Sequence, residues 1–274
     1  MTGITAQSFR YYAPQTQDDL LAFLADNEGV RLIAGGTDLF IELRNGLARP
    51  QYVVDIKRVA GFRDIVWDDT EGLSIGPGVT INELLRSKVV QDRYPLLVSC
   101  GMDLASHQIR NRATVVGNIV NASPCADMAP GLLCLGASAV IGSRDGERVV
   151  PMSQFFTGVK RTVVAKDEVL LKLVVPAEGA NGRGGYRKLK RIKGHDLGIV
   201  GVSVWKKDGE VRLGISSAAP TPLVVTGLTE SDPVEHVVAA ARDAIRPISD
   251  VRCTAEYRTH MVQVFTRRLM KEVV

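Results

Sequence analysis

The sequence lacks the features that mark several large protein classes. No stretch approaches the ~18 apolar residues of a membrane span, and "MTGITAQSFRYYAPQTQDD" at the start holds no apolar signal-peptide core. A cytoplasmic protein without a membrane span is expected. Cysteine is scarce, and Cys100, Cys125, Cys134 and Cys253 form no CxxC pair or other ligand spacing. That argues against an iron–sulfur cluster or zinc ion held by this chain alone, and leaves reduced thiols that serve mainly in packing. His107, His195, His236 and His260 are scattered and include no HExxH. GxSxG, GxGxxG and the Walker A loop are also missing, so hydrolytic, metal-dependent and Rossmann-type chemistry have no positive support. The formal charge of +4 over 274 residues is too small to imply a polyanionic partner.

What is present is an ordinary globular balance, 45% hydrophobic and 23% charged, with length enough for one large unit or two to three packed ones. "TQDDLLAFLADNEG" reads as a helix, with Thr16 as cap, acids in the first turn and Gly29 closing it. "VRLIAGGTDLFIELRNG" gives an apolar strand, a double glycine and a helix from near Thr37, and "QYVVDI" is the next strand. From Val59 strands and turns dominate: "LSIGPGVT", then "TINELLRS" with a capping box between Thr80 and Glu83. A longer helix is expected around "YPLLVSCGMDLASHQ", a hairpin through Asp145 and Gly146, and a buried strand in "EVLLKLVVP" ended by Pro176. Three further strands follow in "GYRKLKR" and "LGIVGVSVWKKDGEVRLGISSAA", then two helical patterns. Strands and helices do not alternate regularly, which argues against a doubly wound sheet and for an α+β fold.

Two glycine-rich turns carry the chemical interest, "AGGTD" from Ala34 to Asp38 and "VGNIVNASPCAD" from Val116 to Asp127. Each is expected after an apolar strand. Either alone reads as a structural turn before it reads as a ligand site, whereas a pair can aim consecutive N–H groups at the two phosphates of a dinucleotide without a Rossmann helix. Asp38 and Asp127 are candidates to accept hydrogen bonds from sugar or ribityl hydroxyls. The basic run "GRGGYRKLKRIKGHD" could be a nucleic-acid patch, but strand alternation splits its charges. Tyr186, Lys188 and Lys190 fall on one face, Arg187, Leu189 and Arg191 on the other. A solvated strand is the plain alternative.

With both turns and the basic strand in view, the whole chain resembles the FAD-binding middle subunit of the molybdenum hydroxylases, the group of xanthine dehydrogenases and aerobic carbon monoxide dehydrogenases. "AGGTDL" is similar to the first flavin loop of that family and "TVVGNIVNASPCAD" to its second, with Val116 standing where the family usually has glycine. The resemblance implies a two-part FAD-binding domain similar to the vanillyl-alcohol oxidase type over residues 1–176, divided near residue 58, and a C-terminal α+β domain over 177–274. It implies that Ala34, Gly35, Gly36, Thr37 and Asp38 surround the pyrophosphate, with Thr114, Gly117, Asn118 and Ser123 on the other side and Asp127 at the ribityl or flavin end. Leu104 then packs against the cofactor, and the backbone of Val169 and Leu170 lines the isoalloxazine. Lys188 matches a family lysine near the flavin ring, where a fixed cation favours electron density on N1 and the C2 carbonyl and raises the potential.

The resemblance further implies an electron-transfer subunit. The iron–sulfur clusters and molybdopterin would sit on a small and a large partner subunit, in a dimer of heterotrimers, with NAD, a quinone or another molecule as acceptor. The asparagine-containing second loop looks more like the xanthine and heteroaromatic branch than carbon monoxide dehydrogenase. Two other readings compete: a nucleotide- or RNA-binding module using residues 183–193, and a self-contained flavin oxidase, for which no substrate base is evident. A visible flavin spectrum separates the first of these from the family reading.

Overall fold

The computed structural model describes residues 8–192 and 194–273. Residues 1–7 of the polar N-terminal segment, Lys193 of the basic run and Val274 lie outside the described residues.

The N-terminal lobe starts from the helix Gln17–Asp26, whose cap is made by Thr16 Oγ1 accepting from the Asp19 N–H at 3.1 Å. Such a cap contributes about 1 kcal/mol. Leu20, Leu21 and Leu24 are buried against a three-stranded parallel sheet in which Tyr52–Asp55 lies between Arg10–Tyr12 and Val30–Ile33. Ile33 pairs with Asp55 at the carboxyl end of the sheet, so "AGGTD" leaves the sheet at the end where parallel folds bind ligands.

The middle lobe is built on a five-stranded antiparallel sheet in the order Ile65–Asp68, Gly72–Ile75, Val169–Val175, Ser138–Ser143, Gly146–Pro151. Its central strand is the last in sequence, and it joins two lobes. Val169 and Leu171 pack into the N-terminal core while Leu170, Leu173 and Val175 pack into the middle core. A bulge between Leu170 and Lys172 makes that change of face possible. The capping box at Thr80 and Glu83 is formed as read from sequence, and the hairpin turns at Arg144 and Asp145.

Beyond Val175 the chain enters a four-stranded antiparallel sheet in sequence order: Arg183–Leu189, Val200–Lys207, Glu210–Ser216 and Leu223–Thr229. Helices Val234–Ala244 and Ala255–Glu272 pack with it around Val202, Val204, Leu213, Val237 and Phe265. Middle-lobe helices Pro95–Asp103 and Met128–Cys134 also pack on this sheet. Two adjacent glycines show how closely: a Cβ on Gly184 would meet Leu96 at 3.0 Å, and one on Gly185 would meet Leu269 at 3.1 Å.

Three local readings are corrected. The helix expected around "YPLLVSCGMDLASHQ" ends at Asp103, because Ala105 takes φ +46° and Ser106 caps a separate short helix, His107–Arg110. The second glycine-rich stretch does not follow a strand; Thr114 makes only an isolated bridge with Thr80 and then caps the helix Val115–Val120. Leu223–Thr229 is a strand the sequence did not advertise, since Pro222 and Gly227 break its pattern.

Candidate functional site

The first loop, Ala34 to Asp38, connects the strand Val30–Ile33 to the helix Leu39–Arg44. Gly36 sits at φ +73°, a conformation that glycine adopts without strain. Among the described residues no acceptor meets the N–H groups of Gly35, Gly36, Thr37 and Asp38. Asp38 makes no side-chain cap, so its carboxylate is free to accept other hydrogen bonds. Successive free N–H groups on a tight turn form an anion-binding concavity.

The second loop is brought against the first. A Cβ built on Gly35 would lie 2.0 Å from the Arg112 carbonyl oxygen and 3.0 Å from Ala113 Cα, so the two backbones touch where glycine leaves room. From there Thr114 Oγ1 accepts from the Gly117 N–H at 3.0 Å, which opens the helix Val115–Val120. Asn118 Oδ1 accepts from the Met128 N–H at 3.2 Å and ties that helix to Met128–Cys134, and Ser123 Oγ accepts from the Cys125 N–H. Val116 points into the middle core, so its side chain does not project into the loop surface.

Asp127 and Lys188 meet behind the second loop. Lys188 Nζ donates to Asp127 Oδ2 at 2.8 Å and to the Asp103 carbonyl at 3.3 Å, and Tyr186 donates to Asp127 Oδ1 at 2.9 Å. Lys190 Nζ reaches Asp103 Oδ1 at 3.2 Å, so Tyr186, Lys188 and Lys190 share one face as alternation requires, while Arg187 on the opposite face pairs with Glu272. Lys188 is therefore not on a solvated strand face. Burial pushes the Asp127 carboxyl up from its ordinary value, opposed by the adjacent Lys188 cation. Burial, reinforced by Asp127, likewise pushes the Tyr186 phenol well up and keeps it a hydrogen-bond donor.

Leu104 is buried, and its carbonyl accepts from Arg110 Nη1 at 3.0 Å, which closes the end of the helix Pro95–Asp103. The side chains of Val169 and Leu170 are in the two cores. On one edge their backbone pairs with Gly142 and Ile141, while Gly72–Ile75 pairs only with Leu173–Val175, so that among the described residues the other edge of this first half has no strand partner. The structure thus brings Gly35 to the start of the second loop and Lys188 to its end.

Sequence reasoning missed Tyr186, Asp103 and Arg110 as site residues. Tyr186 was findable, because it lies two positions before Lys188 on the same strand face; Arg110 depends on a chain reversal that no local pattern signals. The run of N–H groups from Gly35 to Asp38 without acceptors among the described residues fits the oxygens of a pyrophosphate, and the residues present suit a dinucleotide cofactor.

Two glycine-rich stretches from different lobes, meeting at Gly35 and backed by a buried lysine–carboxylate pair, define a dinucleotide-cofactor-binding protein outside the Rossmann class. Residues 7–178 match the family described as FAD binding domain in molybdopterin dehydrogenase, and residues 185–273 match the CO dehydrogenase flavoprotein C-terminal domain. The chain is 30% identical to the xanthine dehydrogenase FAD-binding subunit of Escherichia coli over 278 residues, 96% of this chain and 95% of that one. It is 32% identical to the carbon monoxide dehydrogenase medium chain of Hydrogenophaga pseudoflava over 276 residues, 96% of each. A solved structure of the carbon monoxide dehydrogenase from the same organism, lacking the Mo-pyranopterin moiety of its cofactor, superposes with a TM-score of 0.89 at 30% identity, covering 97% of this chain and 96% of that one. The chain belongs to the FAD-binding subunits of the molybdenum hydroxylases, and its fold is the α+β fold of that family. It is a subunit of an oxidoreductase. No helix among the described residues is long and apolar enough to cross a membrane.

Proposed function

We propose that this chain is the FAD-carrying electron-transfer subunit of a cytoplasmic molybdenum hydroxylase, with iron–sulfur centres on a small partner subunit and molybdopterin on a large one. A dimer of such heterotrimers is the assembly proposed. The single observation that carries the reading is the apposition of Gly35 and Arg112, which unites the two loops into one cradle. Ala34, Gly35, Gly36, Thr37 and Asp38 would hold the pyrophosphate from the N-terminal lobe, and Thr114, Gly117, Asn118 and Ser123 would hold it from the middle lobe. Leu104, Val169, Leu170, Asp127 and Lys188 would serve the flavin end. Bound flavin supplies the ability to exchange electrons singly or in pairs. The protein's part is to fix the ring and set the field around it, through the Lys188 cation and the carboxylate that orients it.

The change of sheet between Val175 and Arg183 supports a FAD-binding unit over 1–176 and a C-terminal domain over 177–274. Identities of 30% and 32% weigh the xanthine and carbon monoxide branches equally, so the preference read from the second loop carries no further. NAD+, a quinone or another molecule is the acceptor. Co-expression with the neighbouring reading frames tests the assembly. The expected product co-purifies as three chains with a flavin band near ~450 nm and with bound iron and molybdenum. A colourless chain that purifies alone would overturn the reading.

A further inference from the structure

Phe40 is the second residue of the helix Leu39–Arg44, directly after the first glycine-rich loop, and it is 54% exposed. Side chains on a helix lean back over the turn that precedes them, so this ring is carried toward the loop rather than away from it. The contact is made at Gly36. A Cβ built there would lie 2.7 Å from Phe40 Cε2 and 2.8 Å from Cδ2, so one edge of the ring rests on the glycine. The Phe40 N–H also donates to the Gly36 carbonyl at 3.1 Å, which ties the backbone that carries the ring to the loop.

Leu39 beside it is buried with Ile33 and Val53, whereas Phe40 joins no hydrophobic core among the described residues. An open aromatic surface therefore stands next to the run Gly35 to Asp38, whose N–H groups meet no acceptor among the described residues. A dinucleotide held by that run carries one base on each side of its pyrophosphate. Asp127 and Lys188 serve the flavin end from the side of the second loop, and Phe40 belongs to the side of the first, which leaves it the other base. An exposed ring suits a flat purine, because stacking needs an open π face and no hydrogen-bonding group.

We propose that the Phe40 ring is the stacking platform for the adenine end of the bound dinucleotide. The proposal rests on the flavin reading above and adds to the site a side chain that lies beyond both glycine-rich stretches. Stacking on this ring would then set affinity at the end of the cofactor remote from its redox chemistry.

Phe40→Leu and Phe40→Trp in the full chain test it, after removal of FAD and titration with FAD. Leucine keeps an apolar side chain on Gly36 without a ring, and tryptophan restores a ring. The leucine variant is expected to bind FAD about tenfold more weakly than wild type, and the tryptophan variant as tightly as wild type. The flavin absorption band of the loaded leucine variant should match that of wild type, since Phe40 meets the opposite end of the cofactor. Competition against FAD separates base from phosphates: ADP should weaken by the same factor on the leucine variant, and inorganic pyrophosphate not at all. Unchanged FAD affinity in the leucine variant overturns the proposal. An equal loss for pyrophosphate overturns it too, by tracing the effect to the loop, and a shifted flavin band does so by placing the ring beside the isoalloxazine. These results sink this inference alone; a wild type that takes up no FAD sinks the flavin reading and this inference together.

Discussion

Lys188 Nζ lies 2.8 Å from Asp127 Oδ2, and only 2% and 10% of the two side chains are exposed. The lysine is already matched by a carboxylate, so a neighbouring group feels an oriented pair rather than a lone cation. Tyr186 fixes the other carboxylate oxygen and with it the direction of the pair.

Lys188→Met is expected to cost about 3–5 kcal/mol of stability, because it leaves Asp127 buried without its cation. Treating the lysine as an isolated charge on an aliphatic stem would instead predict almost no effect on folding. Urea denaturation distinguishes the two, and the double variant Lys188→Met/Asp127→Asn should recover most of the loss. Burial raises the Asp127 carboxyl in the folded state, so its contribution to stability is present at low pH and lost as pH rises through the folded value. The deficit of the single variant should therefore be larger at about pH 8 than at about pH 5. In the flavin-loaded protein the single variant should lower the midpoint by tens of millivolts, ~30 mV corresponding to ~1.4 kcal/mol for a two-electron couple.

Gly35→Ala is expected to yield folded but flavin-poor protein. The added Cβ would meet the Arg112 carbonyl at 2.0 Å, and backbone cannot yield as a flexible side chain can. Gly36→Val should act through its φ of +73° and the Phe40 ring, 2.7 Å from the new Cβ. Gly117→Val differs: the position is helical, and its Cβ would meet Thr114 Oγ1 at 2.7 Å, disturbing a cap worth about 1 kcal/mol. The ratio of flavin to protein absorbance reads all three. Full occupancy in Gly35→Ala would mean that the loops need not touch to hold the cofactor.

Asp250→Asn is expected to weaken the protein at neutral pH and to matter progressively less in acid. Side-chain hydrogen bonds from Arg252, with backbone N–H bonds from Arg252 and Cys253, hold the Asp250 carboxyl well below its ordinary value, and buried Arg258 adds its charge. A depressed folded-state value gives stability that is complete above the unfolded carboxylate range near ~4 and lost as pH falls below it. The gap between wild-type and variant urea midpoints should be smaller at about pH 3 than at about pH 7; a constant gap would assign the loss to packing.

Acid precipitation should release all the yellow colour. Cys125 is the only cysteine or histidine inside either glycine-rich turn, and its sulfur faces Arg252 Nη1 at 3.5 Å. Colour retained in the pellet would reveal a covalent flavin.

Much of this architecture was legible where local chemistry is strong. Thr16, the Thr80 and Glu83 capping box and the hairpin near Asp145 each act within four residues, and each is formed, the turn falling one residue earlier than expected, at Arg144 and Asp145. Strand alternation also placed Lys188 and Tyr186 together. It could not show what they face, because Asp127 lies 61 residues away and reaches Lys188 only through the packing of Met128–Cys134 on the C-terminal sheet. The break at Ala105 was hidden for a different reason: alanine is a strong helix former, and nothing in its residue type signals a φ of +46°. Arg258 carries no motif, and its bonds to the Ile199 and Ser217 carbonyls and to Asp250 exist only in the assembled fold.

The contact at Gly35 joins a loop of the N-terminal sheet to one of the middle lobe, and Lys188 adds the third sheet. A single ligand grasped by all three would act as a removable crosslink between separately folded cores. Mass action then makes the melting temperature a function of free FAD, by about 2.7 kcal/mol at a hundredfold excess over the dissociation constant. The supply of cofactor would set the lifetime of the chain against proteolysis as well as its colour.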